Sequence, residues 1–326
     1  MFDHGLVLGK FWPLHAGHSH LINTASEQCA RVTVQLLVHP DETIPLETRA
    51  EWIREIHPDV NLVTGIDDVP TDFEDPHIWD LHMAIIEDLL DSPVDAVFTS
   101  DEYGAELADR LSANWVQVDP GRVDIPVSGT AVRADPIRQW RFLHPAVRAY
   151  FCRRIIITGA ESTGTTSFAR ALSQALDCPV TTEYGREYSE TRTGGLDTPW
   201  CTEEFTLIAA KQIELEDEAA RASANGWMVG DTDALTTTLW HERYVGHLSD
   251  AFAAIAKDQV PPFARILTGD DIPFVQDGLR DGEHIRHAMQ QRFRDTLAKT
   301  KEPWIEVHGS PEERLKTALE FINSLK

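Results

Sequence analysis

The amino-acid sequence predicts an α/β protein made of two consecutive domains, each built on a parallel sheet. Two observations support this prediction: short apolar runs alternate with stretches of helical spacing, and the alternation restarts from a buried strand in the second half. With 326 residues the chain is too long for one average domain and suits two. We place the domains at residues 1–150 and 151–326, with the boundary near residues 148–153.

In the first half, the runs GLVLG (5–9) and VTVQLLV (32–38) predict buried strands, and weaker strand patterns lie at 61–66 and 96–100. Strand–helix alternation of this kind is typical of a parallel, doubly wound sheet. The intervening stretches with helical spacing are 17–29, 47–56, 77–90 and 102–111.

In the second half, RRIIIT predicts a strand that precedes a helix at 167–176. The segment 137–150 predicts a helix that connects the two halves, and 311–325 predicts a closing helix because Pro311 suits a first helical turn. Strands in this half are predicted at 153–158, 227–230, 264–268 and 304–307.

The composition narrows the class of protein. A formal net charge of -24 without a basic stripe disfavours nucleic acid as a partner, whereas a locally positive pocket can still bind ATP. We find no signal-peptide pattern and no apolar run near the roughly 18 residues that span a bilayer, so we expect no membrane partner and a cytoplasmic protein. Scattered cysteines fit reduced thiols better than disulfides; they are Cys29, Cys152, Cys178 and Cys201.

The first candidate site is an H-x-G-H pattern where the first strand passes into a helix. His15 and His18 can share one face at the helix start and hydrogen-bond a phosphoryl group. Gly9 permits a sharp turn, Gly17 leaves room for a phosphate near the helix N-terminus, and Lys10 adds a positive charge. A metal pair or surface histidines are alternatives, and metal is disfavoured because no third ligand at metal-site spacing accompanies the pair.

A second element lies far downstream, in the pattern S-G-T-x-x-R. Ser128 and Thr130 suit a helix N-cap whose hydroxyl and N–H groups could hold the β- and γ-phosphates, and Arg133 lies one turn further. Alone this pattern is typical of an ordinary capped helix. Because this pattern follows the predicted strands and the H-x-G-H pattern in the same half of the chain, phosphate binding is the favoured interpretation.

Together these patterns resemble the two signatures of the nucleotidylyltransferase superfamily, (H/T)-x-G-H and (S/T)-x-T-x-x-(R/K). The whole chain is similar to NadR-type bifunctional nicotinamide mononucleotide adenylyltransferase / ribosylnicotinamide kinase enzymes, starting at the catalytic strand and without the helix-turn-helix repressor domain of some relatives. This resemblance implies a Rossmann-like nucleotidylyltransferase domain followed by a P-loop NTPase, kinase-like domain. In the first half it rests on 9–18, on Pro45, Arg49, Trp52 and Trp79, on 118–120 and on the Ser128 loop.

The reaction implied by the resemblance joins nicotinamide mononucleotide (NMN) to ATP, giving NAD and pyrophosphate, with Mg²⁺ expected. The NMN phosphate is already anionic, so positioning and charge neutralisation suffice. His15 and His18 would contact the transferring phosphate, and Lys10 and Arg133 the triphosphate. The other implied ATP-binding positions are Gly9, Phe11, Gly17, Ser128, Gly129 and Thr130.

The mononucleotide end of the site is less constrained by the sequence. Trp79 would stack on the nicotinamide ring, although packing in the core explains such an aromatic residue equally well. Arg49 is a further implied NMN contact. Another mononucleotide specificity, such as nicotinate mononucleotide or pantetheine phosphate, is the main alternative, combined with a P-loop domain that only senses nucleotide.

The second candidate site is a P-loop that lacks its lysine. The segment 159–166 follows a strand and precedes a helix, as G-x-x-x-x-G-K-[ST] requires, but Thr165 occupies the lysine position. A threonine hydroxyl brings no charge to the β- and γ-phosphates, so transfer is expected to slow while Thr166 can still ligate Mg²⁺. The loop residues assigned to the site are Gly159, Glu161, Ser162, Thr163, Gly164, Thr165 and Thr166.

Further residues of the second half resemble a ribosylnicotinamide kinase site. Asp231 would lie near Mg²⁺, and Arg280 in the segment 277–280 would approach the γ-phosphate from a lid. An N-cap explains the aspartates equally well, and a surface ion pair the arginines. The kinase-like residues are Glu183, Tyr184, Arg186, Asp231, Asp233 and Arg280.

Two interpretations of this second domain stay open. It is either a working kinase that makes NMN from nicotinamide riboside, with Arg153, Arg186 or Arg280 replacing the missing charge, or a degenerate kinase that binds ATP or a pyridine nucleotide. The missing lysine favours the second interpretation. The expected partners are small molecules (ATP, NMN and, for a working kinase, nicotinamide riboside), and family analogy adds homo-oligomerisation.

Overall fold

In the computed structural model the chain separates into two compact units, unit 1 (Met1–Val147) and unit 2 (Arg148–Lys326). Each unit contains a parallel sheet with helices, which confirms the predicted α/β class. The structure describes residues 1–70, 72, 75–195, 198–247, 249–276 and 282–325.

The sheet of unit 1 has the strand order β3-β2-β1-β4-β5. Strand β1 is central because it pairs in parallel with β2 on one side and with β4 on the other. The strand order therefore reverses beside β1, and in such sheets a ligand crevice forms at the carboxyl ends of the strands at that point. The strands are β1 (Phe2–Gly9), β2 (Cys29–Val38), β3 (Asn61–Ile66), β4 (Ala96–Thr99) and β5 (Asn114–Gln117).

The helices of unit 1 pack apolar side chains against this sheet. The cluster of Leu6, Val97 and Leu107, all fully buried, joins β1, β4 and α4. The helices of unit 1 are α1 (Ala16–Gln28), α2 (Leu46–Ile56), α3 (Pro76–Asp88), α4 (Tyr103–Arg110) and α5 (Gly129–Ala134). Helix α6 (Pro145–Phe151) contains the boundary between the two units in the sequence.

The predicted connecting helix at 137–150 is wrong as one continuous element. The structure has a 3-10 turn at Trp140–Phe142, an extended Leu143, and then the separate helix α6. The break has a local cause: His144 precedes Pro145, and a residue before proline is disfavoured in helical geometry.

The sheet of unit 2 has the order β10-β9-β6-β8-β7, again parallel. Strand β6 is central, and its Ile155 and Ile157 are fully buried with Val229 and Ile266 of the neighbouring strands. The strands are β6 (Arg153–Thr158), β7 (Val180–Thr181), β8 (Trp227–Asp231), β9 (Ala264–Thr268) and β10 (Trp304–Val307).

Helices of unit 2 follow each strand, and one of them, α9, runs for 21 residues. The closing helix α13 begins with a capping box between Ser310 and Glu313 and with Pro311 in its first turn, as the sequence predicts. None of the described helices is long and apolar enough to cross a membrane. The helices are α7 (Thr165–Leu176), α8 (Tyr184–Thr191), α9 (Thr202–Ala222), α10 (Ala234–Val245), α11 (Asp250–Asp258), α12 (Arg286–Leu297) and α13.

Unit 2 also buries a group of four ionisable side chains. Arg265 Nη1 lies 2.5 Å from Asp233 Oδ2, and Arg154 Nη1 lies 3.8 Å from Glu216 Oε2. Burial, reinforced by the charge of Asp233, raises the pKa of Glu216 to about 8. Glu216 is therefore largely protonated in the folded protein at neutral pH, despite its position on the acidic helix α9.

Candidate functional site

A cavity of 650 Å³ in unit 1 opens at the carboxyl end of β1. The H-x-G-H segment and the Ser128 loop both line it, so two patterns that are distant in the sequence face one space. This was the geometric condition for a shared triphosphate site. The sequence-predicted residues that line the cavity are Gly9, Lys10, His15, Gly17, His18, Trp79, Ser128 and Gly129.

The two imidazoles of the cavity are stacked on each other. The ring centroids of His15 and His18 lie 3.7 Å apart with an interplanar angle of 19°. Burial, with a contribution from the charge of Arg122, lowers the pKa of His15 to about 4. Burial also lowers the pKa of His18 well below its ordinary value, followed by the charges of His15 and Arg122. Both rings are therefore neutral at pH 7.

Neutral imidazoles retain hydrogen-bonding capacity for a ligand. The Nδ1 atoms of His15 and His18 are buried and have no hydrogen-bond partner within the described part of the chain. A neutral ring carries one N–H donor and one acceptor, and a phosphoryl oxygen would accept from the donor. Negative charge on such a ligand would also raise the pKa of both rings and so strengthen the contact.

The turn before α1 differs from the expected one. The backbone bends at Phe11, which has φ 43°, whereas Gly9 has no positive φ and would accept a side chain at ordinary contact distance. Phe11 is 1% exposed and packs edge-on against His18 at 5.0 Å, outside the cavity lining. The Phe11 side chain therefore supports His18, and its assignment to ATP stays a prediction. At Gly17 a Cβ would lie 3.1 Å from Cε1 of His15, so a side chain there would press against the His15 ring.

Lys10 and Arg49 converge on one buried carboxylate. Glu42 lies 3.0 Å from Lys10 Nζ through Oε1 and 2.5 Å from Arg49 Nη1 through Oε2. Arg49 is 1% exposed, and its guanidinium also donates to the carbonyls of Ile44 and Lys10. In this structure Arg49 holds the Lys10 loop and does not line the cavity, whereas Lys10 itself does, so the NMN contact of Arg49 stays a prediction.

The predicted cap at α5 is confirmed, but its arginine lies apart from the cavity lining. Ser128 Oγ accepts from Ala131 N at 3.1 Å. Arg133 Cζ lies 3.8 Å from the centroid of the Trp12 ring, and its Nη atoms donate to Trp12 O at 2.5 Å and to Thr130 Oγ1 at 3.2 Å. Ser128 and Gly129 line the cavity, whereas Thr130 and Arg133 do not.

The cavity lining also contains aromatic and acidic side chains. Trp79 is 5% exposed, belongs to the core cluster and also lines the cavity, so its place in the core is confirmed and its stacking on the nicotinamide ring stays a prediction. His82 Nδ1 lies 2.8 Å from Asp67 Oδ2 in the same wall. Sequence reasoning missed this pair and Tyr103, which have no motif of their own.

A separate cavity of 390 Å³ lies in unit 2, next to the P-loop. The loop connects β6 to α7 and enters the helix through Gly164, which has φ 85°. Four aromatic side chains also line this cavity: Trp200, Phe205, Trp240 and Tyr244. Sequence reasoning missed them, since they come from separate segments. The lining includes Gly159, Glu161, Ser162, Thr165, Thr166, Trp200, Phe205, Trp240 and Tyr244.

Two buried arginines hold the P-loop from behind through its carbonyl groups. Arg286 Nη2 donates to Ser162 O at 2.9 Å, and Arg314 Nη1 donates to Thr163 O at 2.8 Å. Arg314 also contacts Asp271 at 2.7 Å. The loop conformation thus depends on α12 and α13, although the lysine position carries a threonine.

The residues at the lower end of the P-loop fit a divalent cation. Asp231 is 3% exposed, and its Oδ2 has no hydrogen-bond partner among the residues that the structure describes. Burial raises the pKa of Asp231, while the hydroxyls of Thr166 and Thr165 lower it. A buried carboxylate oxygen beside a threonine hydroxyl suits Mg²⁺, which prefers oxygen ligands and keeps several for water and phosphate.

The other kinase-like residues divide into two groups. Glu183 and Arg186 line the P-loop cavity. Tyr184 packs in an apolar cluster instead, and its N–H donates to Gln212 Oε1 at 3.0 Å. Asp233 is also corrected: it caps α10 by accepting from Thr236 N and pairs with buried Arg265, outside the cavity lining.

The proposed replacements for the missing lysine also divide. Arg153 stacks on Trp227 and Phe263, at 5.0 Å and 5.5 Å, and does not line the cavity. Arg186 does line it. Arg280 and the rest of the segment 277–280 lie outside the described residues.

Comparison with known proteins finds relatives that match the chain across both units. A family model described as an AAA domain matches residues 154–314. The chain is 27% identical over 297 residues to the trifunctional NAD biosynthesis/regulator protein NadR of Escherichia coli (strain K12), covering 85% of this chain and 71% of that protein. It is 26% identical over 326 residues to the protein of the same name from Salmonella typhimurium, covering 93% and 78%.

Solved structures show the same fold over both units. The crystal structure of a NadR protein in complex with NAD and AMP-PNP superimposes with a TM-score of 0.75 at 21% identity, covering 100% of this chain and 96% of the other. A NadR protein in complex with NR gives the same TM-score and identity, with coverage of 98% and 96%.

Proposed function

Because the chain is homologous to the NadR proteins over most of its length, we propose that unit 1 transfers AMP from ATP to NMN, giving NAD and pyrophosphate. The observation that supports this proposal is the single cavity shared by the H-x-G-H segment and the Ser128 loop. In an open α/β sheet this is the position where a nucleotide is expected.

The step needs positioning and charge neutralisation rather than a base. An oxygen of the NMN phosphate forms a bond to the α-phosphorus of ATP, and the bond from that phosphorus to the bridging oxygen breaks, so the electron pair leaves with pyrophosphate. His15 and His18 donate to the transferring phosphate, and Lys10 supplies charge from a loop fixed by Glu42. The backbone at Ser128 and Gly129 faces the triphosphate. Bound Mg²⁺ would supply further charge neutralisation.

The identity of the mononucleotide substrate rests on a second group of lining residues, Trp79, His82 and Asp67. Trp79 offers an aromatic face for the nicotinamide ring, and the His82–Asp67 pair lines the same cavity. The alternative is another mononucleotide. The deciding experiment incubates the protein with ATP and, in parallel, NMN, nicotinate mononucleotide or pantetheine phosphate, and follows pyrophosphate release. Faster release with either of the last two would reject the assignment to NMN.

For unit 2 we propose a nucleotide-binding domain of the ribosylnicotinamide kinase type in which phosphoryl transfer is slow. The P-loop, Thr166 and Asp231 support nucleotide and Mg²⁺ binding, and Thr165 removes the charge that follows the γ-phosphoryl group. Nicotinamide riboside plus ATP, followed for ADP and NMN, is the assay. Turnover in the 1–100 s⁻¹ range typical of kinases would reject the slow-transfer proposal.

A further inference from the structure

The turn that precedes the Ser128 loop is held in an uncommon backbone conformation. Asp119, Gly121 and Arg122 have φ values of 48°, 77° and 54°, in the left-handed region that disfavours residues with side chains. The Asp119 carboxylate holds the turn together by accepting from the N–H groups of Val123, Asp124 and Ile125, at 2.8, 2.9 and 3.0 Å. The backbone cost is thus met by a local network, and the side chain that this turn presents is Arg122.

Arg122 presents its charge to the imidazole pair. It lines the same cavity as His15 and His18, and its positive charge lowers the pKa of both rings. Arg122 is therefore a cation of this cavity whose charge acts on both imidazoles.

The present partner of Arg122 is easily exchanged. Arg122 Nη2 lies 3.3 Å from Asp101 Oδ1, and the two side chains are 46% and 62% exposed. An exposed ion pair of this kind contributes little, on the order of 1 kcal/mol or less. Lys10 instead pairs with the buried Glu42, and Arg133 rests on the Trp12 ring. A polyphosphate could displace Asp101 from Arg122 at low cost, because bidentate guanidinium–phosphate contacts are stronger.

We propose that Arg122 binds the β- and γ-phosphates of ATP and neutralises the pyrophosphate as it leaves. This inference rests on the proposed adenylyl transfer. The mononucleotide ring is assigned to the buried Trp79, whereas Arg122 lines the cavity and is 46% exposed, so pyrophosphate held by it can leave into water. In the step, the bond from the α-phosphorus to its bridging oxygen breaks, charge accumulates on pyrophosphate, and Arg122 stays protonated throughout.

The test compares Arg122→Gln and Arg122→Lys with Arg31→Gln in the full-length protein. Arg31 is a matched control, because it is 41% exposed and pairs with one exposed carboxylate, that of Asp91, and it does not line the cavity. For Arg122→Gln we expect kcat for NAD synthesis to fall about 100-fold, as for the loss of one transition-state donor, with the KM for NMN changed less than about threefold. Arg122→Lys should recover part of the loss, and Arg31→Gln should match the wild type.

Binding of pyrophosphate alone, measured by calorimetry, separates this inference from the proposed function. Affinity should fall at least about tenfold in Arg122→Gln, and any binding by unit 2 is common to all variants. Wild type that binds pyrophosphate through Arg122 but makes no NAD would reject adenylyl transfer and keep the phosphate site. Unchanged kcat and pyrophosphate affinity, or a defect confined to the KM for NMN, would overturn the assignment of Arg122.

Discussion

At the scale of single residues, His18 is enclosed by aromatic rings on two sides, the stacked His15 and the edge-on Phe11. This enclosure fixes the direction of its ring. We predict that His18→Ala abolishes NAD synthesis from NMN and ATP, a loss of at least about 100-fold in kcat, because one preorganised donor to the transferring phosphate is gone. Steady-state production of pyrophosphate measures this loss.

A folding control accompanies that variant. Circular dichroism and the kinetics of His20→Ala, a histidine on the same helix that does not line the cavity, should match the wild type. Near-wild-type turnover in a folded His18→Ala protein would remove His18 from the mechanism.

The depressed pKa of His15 makes a prediction about acid. Folded His15 titrates near pH 4 and its unfolded form near pH 6.5, so below pH 6.5 the unfolded chain takes up a proton that the folded chain refuses. Stability of unit 1 should therefore decline between pH 6.5 and pH 4, by about 3 kcal/mol for this residue in full. Hydrogen exchange of the peptide over β1 and α1, corrected for intrinsic rates, should show this decline. It should be smaller in His15→Asn, and an unaltered pH dependence there would contradict the assignment.

Thr165 predicts the outcome of restoring the missing charge. Thr165→Lys should raise the rate of ADP and NMN formation from nicotinamide riboside and ATP at least about tenfold, since a charged donor then follows the phosphoryl group. Thr165→Met is the control, because it adds comparable length without charge. Equal rates in the lysine and methionine variants would show that charge at this position is not the lesion.

Short sequence motifs predicted several residues that line the two cavities, such as His15, His18, Ser128 and Thr166. They did not predict Arg122, although the Asp-Pro-Gly sequence before it marks a turn. Which way a turn presents its side chain depends on packing that one sequence does not display. Arg49 and Asp233 show the converse case: both were predicted as site residues, yet the structure holds each of them in a buried ion pair.

At the scale of elements, α13 acts on a loop far from it in sequence. Arg314→Met removes donors to Thr163 O, Gly269 O and the Asp271 carboxylate. We predict that unit 2 loses about 2–3 kcal/mol, because the buried carbonyls of Thr163 and Gly269 lose a charged donor, and that the P-loop opens more often. Hydrogen exchange of the peptide over 159–166, with and without ATP, measures both effects.

Lys316→Met is the matched control on the same helix. Lys316 is 76% exposed and lies 4.0 Å from Glu320, so its removal should change exchange of the P-loop peptide very little. If both variants behave alike, the carbonyl contacts of Arg314 do not hold the loop.

The elements themselves were predictable to different degrees. Apolar strands such as β1, β2 and β6 follow from hydrophobicity, but β5 (NWVQ) begins and ends with exposed polar residues and β7 has only 2 residues, so neither forms a pattern. Helix α9 was missed although its buried residues Phe205, Ile208, Ala209 and Gln212 recur at helical spacing. Polar members such as Gln212 and Glu216 interrupt the apolar stripe, and their burial depends on partners from other elements.

At the scale of the whole molecule, the two proposed activities form a sequence with one shared intermediate. Nicotinamide riboside with two equivalents of ATP should give NAD, ADP and pyrophosphate, and NMN should not accumulate because the lysine-free P-loop sets the rate. In a protein that combines Thr165→Lys with His18→Ala, NMN should accumulate instead. Chromatography of the reaction mixture distinguishes these outcomes, and accumulation of NMN in the wild type would place the slow step in unit 1.

The buried, protonated Glu216 makes the thermal stability of unit 2 depend on the pH of the buffer. Its carboxyl ionises near pH 4.5 once unfolded and near pH 8 when folded, so its contribution is complete below pH 4.5 and is lost as the pH rises through 8. Unit 1 responds to acid in the opposite sense. Acidic buffer therefore destabilises unit 1 and alkaline buffer destabilises unit 2. A single melting temperature for the whole chain describes neither unit.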